Sequence, residues 1–169
     1  MTVLEDTVAL PSGQRIEWAR MKHASDFVQV ICLDDVGRVL VTRQYCHPPG
    51  RMVYEFPGGY PNAGESYEEA ARRELIEEVG LYARDLEKIG RFLLLRRRTG
   101  LQGHLYVATG LEPREAAPEQ EEYISLHWMT VPQVEAMVRA GEVEDVQVLS
   151  SWSLLRAKKP ELFEVGGAG

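Results

Sequence analysis

Apolar and polar positions alternate in short runs over the first third of the chain, change once to helical spacing, return to alternation, and end in two further helical stretches. The alternating runs predict strands over 7–10, 15–21, 26–33, 38–45 and 52–56 ahead of the long helix, and over 86–96, 104–111 and 125–129 after it. Pro11-Ser12-Gly13 and residues 34–37 carry the turn chemistry between the early runs. Helices are predicted from near Tyr67 to Gly80, over 131–140 and over 145–157. Thr130 is placed as an N-cap, and Pro132 stands in the first turn behind it. Strands, one long helix, strands and terminal helices in this order predict an α/β fold, with a mixed sheet sandwiched between helices. One domain accounts for 169 residues: N-terminal strands over about 5–22, a core over about 26–158 and a frayed tail at 166–169.

The segment Gly59 to Leu81, GYPNAGESYEEAARRELIEEVGL, holds the chemistry. Ser66 followed three residues later by Glu69 is a capping-box pattern, and Gly80 supplies the left-handed residue that stops the helix. At about 100° per residue, Glu74, Glu77 and Glu78 fall on one arc, while Ala71, Leu75 and Val79 form the adjacent apolar stripe. Like charges spaced this way cost a few tenths of a kcal/mol each, so a cation should offset them. Oxygen donors gathered on one helix face suit a hard divalent ion such as Mg²⁺. Gly58-Gly59 lets a main-chain carbonyl approach closely.

Gly59, Glu65 and then Arg73-Glu74-Leu75-Ile76-Glu77-Glu78-Val79-Gly80-Leu81 together resemble the full signature of the Nudix hydrolases. The resemblance implies the Nudix fold with an N-terminal strand extension, spanning about residues 5–158. It also implies Mg²⁺- or Mn²⁺-dependent hydrolysis of a pyrophosphate bond. On it, the Gly58 carbonyl joins Glu74 and Glu78 as metal ligands with Glu77 in the cluster, Glu65 pairs with Arg73 to orient the acidic face, and Gly59 and Gly80 give structural support. Arg43-Gln44-Tyr45 and Glu55-Phe56-Pro57-Gly58-Gly59 resemble a longer pattern of the ADP-ribose and nucleoside-diphosphate-sugar pyrophosphatase branch. That branch implies substrate-binding roles for Arg43 and Glu55, and a homodimer built by the N-terminal strands. It also places a general base or further metal ligand in the loop at Glu119 to Glu122, with Glu121 and Glu122 ahead of Glu119. Relatives that hydrolyse ADP-ribose usually carry a Ser-Pro-Gly element in the loop that here holds Arg96 to Gly100, but no proline occurs here between Pro61 and Pro113. The group beyond the diphosphate therefore stays open, and NTPs or dinucleoside polyphosphates are the alternative substrates. A non-catalytic nucleotide-binding regulatory module is the alternative of another class.

A net charge of −7 and a pI near 5.2 argue against nucleic-acid or anionic-membrane partners, and the partner the resemblance implies is a small-molecule nucleoside diphosphate derivative. Arg96-Arg97-Arg98 is a local exception, readable as a phosphate clamp through Arg97 or as an exposed hairpin tip. Cys32 and Cys46 read as reduced thiols, and with no signal-peptide pattern the expectation is a cytoplasmic protein. His23, His47, His104 and His127 lack metal-ligand spacing and are expected to be structural.

Overall fold

A computed structural model describes residues 2–22, 25–116 and 124–164. The order is β1 (Val3–Ala9), β2 (Arg15–Met21), β3 (Phe27–Cys32), β4 (Val39–Cys46), β5 (Arg51–Glu55), β6 (Gly58–Gly59), α1 (Tyr67–Val79), β7 (Leu81–Leu93), β8 (Gln102–Pro113), β9 (Ile124–Met129), α2 (Val131–Ala140) and α3 (Val146–Lys158). A single 3₁₀ turn, Pro160–Leu162, follows α3. The α/β class holds.

The described strands form three sheets where a single mixed sheet was predicted. β1 and β2 make a separate antiparallel hairpin, β5-β4-β9 is antiparallel, and β6-β3-β8-β7 is mixed because β3 runs parallel to β8. Phe27 faces Gly103 in that parallel pair. Pairing across so long a stretch of chain leaves no trace in local periodicity, and only packing decides it.

β3 is buried along its whole length, as a strand covered on both faces must be. Its alternation divides the core: Val28, Val30 and Cys32 pack with Ala71, Leu75 and Val79 of α1, while Ile31 packs on the other face with Val148, Trp152 and Leu155 of α3. Helices α1 and α3 therefore sit on opposite sides of one strand, and α1 also packs against the short edge strand β6.

The helix boundaries follow their caps. Ser66 Oγ accepts from the Glu69 amide at 3.2 Å, Glu69 Oε2 accepts from the Ser66 amide at 2.9 Å, and Gly80 takes φ 65°. Thr130 and Gln133 form a second capping box. Asp145 is the cap of α3, its Oδ1 accepting from the amides of Gln147 and Val148 at 2.8 and 3.1 Å, so the helix proper begins at Val146. β7 starts at Leu81, directly after the Gly80 reversal and five residues earlier than predicted, and it stops at Leu93. Both cysteines are free thiols, Cys32 buried and Cys46 half-buried. Among the described residues no helix is long and apolar enough to cross a membrane.

Candidate active site

α1 lays its acidic face against β6. Gly59 approaches the helix so closely that a Cβ there would stand 2.6 Å from Glu74 Cδ, and a Cβ on Gly58 would run into the Val28 carbonyl oxygen. Only glycine permits this approach. The amide of Gly58 in turn donates to Glu78 Oε2 at 3.0 Å, so two of the predicted carboxylates are seated on the glycine pair.

Arg73 ties the rest together. Its Nε and Nη2 donate to Glu65 Oε1 and Oε2 at 2.9 and 3.1 Å. Nη1 donates to Glu74 Oε1 at 2.9 Å and to Glu77 Oε2 at 2.7 Å, and Nη2 also reaches the Tyr60 carbonyl at 2.9 Å. Every N–H of the guanidinium is engaged. Hydrogen bonding to Arg73 holds the Glu65 carboxyl below its ordinary range, and the bond from Glu65 raises the Arg73 guanidinium further. The Glu65–Arg73 pair is found where the resemblance put it. The bonds to Glu74, Glu77 and the Tyr60 carbonyl are additional, and one guanidinium thus offsets the repulsion among several carboxylates.

As the side chains stand, the acids converge on Arg73 and on the Gly58 amide; among the described residues no three Asp, Glu, His or Cys side chains gather at metal-binding distance. The donor chemistry nevertheless fits a hard divalent ion. Carboxylates of Glu74 and Glu78 lie against a glycine pair whose carbonyl can add a neutral oxygen.

Other predicted residues are dispersed. Glu55, at the end of β5, lines a cleft of about 150 Å³ beside Gly58 and Gly59, with Phe27, Gln29, Tyr60, Asp145 and Gln147. Arg43 is exposed on β4, its guanidinium 5.5 Å from the Tyr54 ring centroid, in a different groove with Arg51 and Glu144. Arg97 belongs to the turn between β7 and β8, where its carbonyl accepts from Trp18 Nε1 at 3.1 Å and its side chain lines a groove along β2. The loop glutamates Glu119, Glu121 and Glu122 lie outside the described residues, as do His23 and the tail at 166–169. His104 is buried and stacked on Tyr67 at 3.9 Å, and His127 is edge-on to Tyr54 at 6.5 Å.

Sequence reasoning missed the walls of the cleft. One signal was present: Gln29 is the single polar residue in the buried run FVQVIC. A polar side chain on a doubly covered strand requires a partner or a ligand. Asp145 and Gln147 gave no comparable signal, because a cap and a first-turn glutamine look ordinary.

Known proteins resemble this chain in sequence and in fold. An ADP-ribose pyrophosphatase of Bacillus subtilis (strain 168) is 28% identical over 156 residues, covering 91% of this chain and 84% of that protein. An ADP-ribose pyrophosphatase of Mycobacterium tuberculosis (strain ATCC 25618 / H37Rv) is 30% identical over 141 residues, covering 82% of this chain and 68% of that protein. The crystal structure of an ADP compounds hydrolase shares the fold, with a TM-score of 0.81 at 22% identity, over 96% of this chain and 88% of that one. The NUDIX domain profile matches residues 24–152, which take in α1, both glycines and the cleft, and the chain belongs to the NUDIX domain family.

Proposed function

We propose that this Nudix hydrolase cleaves the diphosphate of ADP-ribose or a sugar nucleotide, giving two phosphate-terminated products. The observation that carries the reading is the α1 carboxylate face held by Arg73 against Gly58 and Gly59. The names of the relatives in Bacillus subtilis and Mycobacterium tuberculosis support ADP-ribose as the first substrate to try. Nudix hydrolases generally use divalent metal ions. Here Mg²⁺ or Mn²⁺ would be held by the Gly58 carbonyl, Glu74 and Glu78 with Glu77 beside them, and when bound it neutralises diphosphate charge and acidifies water.

The protein's own contribution is positional. Arg73 fixes the rotamers of Glu65, Glu74 and Glu77, the glycine pair admits the diphosphate to the helix face, and a glutamate takes the proton of the attacking water. Water oxygen bonds to one phosphorus while the bridging P–O bond breaks, and the leaving phosphate carries off the electron pair. Glu77, Glu121 and Glu122 are the candidates for the base, and Glu55 faces the substrate from the cleft. Arg43 and Arg97 stand in other grooves, so their part in binding needs substrate or a second copy to bridge the distance.

Among the described residues the β1–β2 hairpin pairs with no other strand, and it leaves Val3 and Trp18 exposed, which supports a homodimer formed through it. The two free thiols support a reducing, cytoplasmic location.

A panel of ADP-ribose, sugar nucleotides, NTPs and dinucleoside polyphosphates, assayed with Mg²⁺ and with product identification, tests the reading. Turnover of ADP-ribose or a sugar nucleotide upholds it. Exclusive turnover of NTPs or dinucleoside polyphosphates replaces the substrate class, and inactivity across the panel leaves the regulatory-module reading.

A further inference from the structure

Beside the glycine pair stands a buried donor that the carboxylate face of α1 does not use. Gln29 lies on β3 opposite Gly58, so close that a Cβ on that glycine would stand 2.9 Å from Gln29 Cα. Its side chain crosses to α3, where Oε1 accepts from Ser151 Oγ, and both residues are buried, Gln29 with 4% of its surface exposed. Among the described residues the Nε2 amide has no acceptor, although it belongs to a side chain that lines the cleft. Leaving a buried donor unpaired is costly, which marks the spot as one that a substrate acceptor fills.

The groups around it narrow what that acceptor is. Glu55 and Asp145 carry carboxylates, and among the described residues the lining holds no lysine or arginine. Ionised carboxylates only accept hydrogen bonds. Gln147 and Tyr60 carry donors too, but Gln147 is only half-buried and Tyr60 is 57% exposed. Gln29 is thus the donor held deepest, next to the glycine pair that admits the diphosphate. The Ser151 hydroxyl also settles which end of the carboxamide is left for the cleft: with Oε1 engaged, that end is Nε2. A ligand oxygen with growing negative charge fits it.

Resting on the function proposed above, we infer that Gln29 is a catalytic residue whose Nε2–H donates to a non-bridging oxygen of the diphosphate, with Ser151 as the positioning residue that fixes its carboxamide. Charge on the non-bridging oxygens shifts as the bridging P–O bond breaks, and a donor already aimed at one of them stabilises that state without reorganising. A neutral donor suits this place, because a lysine or arginine beside Glu55 and Asp145 would be drawn into ion pairs. The bond strengthens as the charge develops, so its loss falls on kcat more than on KM. Ser151 is fully buried and does not line the cleft, so it acts through Gln29 alone.

The experiment has two arms on the full chain. In the first, the side-chain amide resonance of Gln29 in the wild type is followed as inorganic pyrophosphate is added with Mg²⁺, against Mg²⁺ alone; the expected result is a shift that saturates with pyrophosphate. In the second, ADP-ribose hydrolysis with Mg²⁺ is compared across variants whose melting curves match the wild type. Gln29→Met, which keeps the bulk and removes the donor, should lower kcat about a hundredfold with KM within about twofold. Gln29→Glu, which sets lone pairs where the donor stood, should lower kcat further. Ser151→Ala should lower kcat about threefold in the wild type and add nothing to Gln29→Met, the non-additivity of two groups acting as one. An unmoved Gln29 resonance, a kcat for folded Gln29→Met within about twofold of the wild type, or an equal cost of Ser151→Ala in both backgrounds overturns the inference. The first arm needs no variant to fold. Hydrolysis by the wild type is scored separately: its absence with the pyrophosphate shift retained sinks the substrate reading and leaves the contact, and its presence with an unmoved resonance sinks this inference alone.

Discussion

Arg73 grips Glu65 with a two-point fork, Nε to Oε1 at 2.9 Å and Nη2 to Oε2 at 3.1 Å, and the same guanidinium spends its remaining N–H groups on Glu74, Glu77 and the Tyr60 carbonyl. Lysine cannot reproduce that geometry, since its ammonium is a point charge without a planar fork. Arg73→Lys should therefore lower kcat/KM by about tenfold to a hundredfold while keeping the charge, through misplaced carboxylates and weaker metal affinity. Steady-state kinetics across a Mg²⁺ titration checks this, with the metal half-saturation point moving upward.

Gly59 tests the close approach. A methyl group there meets the Glu74 carboxylate, with Cδ at 2.6 Å from the ideal Cβ position, so Gly59→Ala must push Glu74 aside. A displacement of this size at a reacting centre costs about a hundredfold in rate. Near-normal turnover in a folded Gly59→Ala protein would show that Glu74 does not need its seat against β6.

His104 sets a pH dependence of stability. It is stacked on Tyr67, the first residue of α1, with Nδ1 2.8 Å from Lys88 Nζ and Nε2 3.3 Å from Asp26 Oδ2. Burial pushes its pKa below the ordinary 6.5, Asp26 opposes that shift, and the Lys88 charge reinforces it. The unfolded chain thus binds a proton that the folded protein resists, and stability falls as pH drops from the ordinary value of 6.5 toward the depressed folded value. Chemical denaturation of the wild type between about pH 7 and 5 should show this loss, with a shallower slope in His104→Gln. Equal slopes would mean that His104 does not resist protonation in the fold.

Much of the site was legible because its determinants are local. Ser66, Glu69 and Gly80 define α1 by hydrogen bonds within a few residues, and the arc of Glu74, Glu77 and Glu78 follows from helical geometry alone. Thr130 starts α2 in the same way. β7 was harder, because Arg84, Asp85, Glu87 and Lys88 interrupt its apolar alternation and hide the strand that begins at Leu81. The division into three sheets depends on partners such as Phe27 and Gly103, which no window of sequence contains. Arg43 shows the same limit: its motif lies close to Gly58 in sequence, yet β4 points its side chain over Tyr54 and into another groove. The cleft escaped notice since Gln29, Asp145 and Gln147 come from a strand and a helix that meet only in the folded protein.

Glu78 offers the most direct measurement. Its Oε2 accepts from the Gly58 amide at 3.0 Å, and glutamine can accept the same bond while giving up the charge that a divalent ion requires. Glu78→Gln should keep its stability within about 0.5 kcal/mol, helped by relief of like-charge repulsion on α1. Mg²⁺-dependent hydrolysis of ADP-ribose by the same protein should fall on the order of 10²- to 10³-fold. Turnover by Glu78→Gln equal to that of the wild type across the Mg²⁺ titration would contradict the assignment of the α1 carboxylates as the seat of the chemistry.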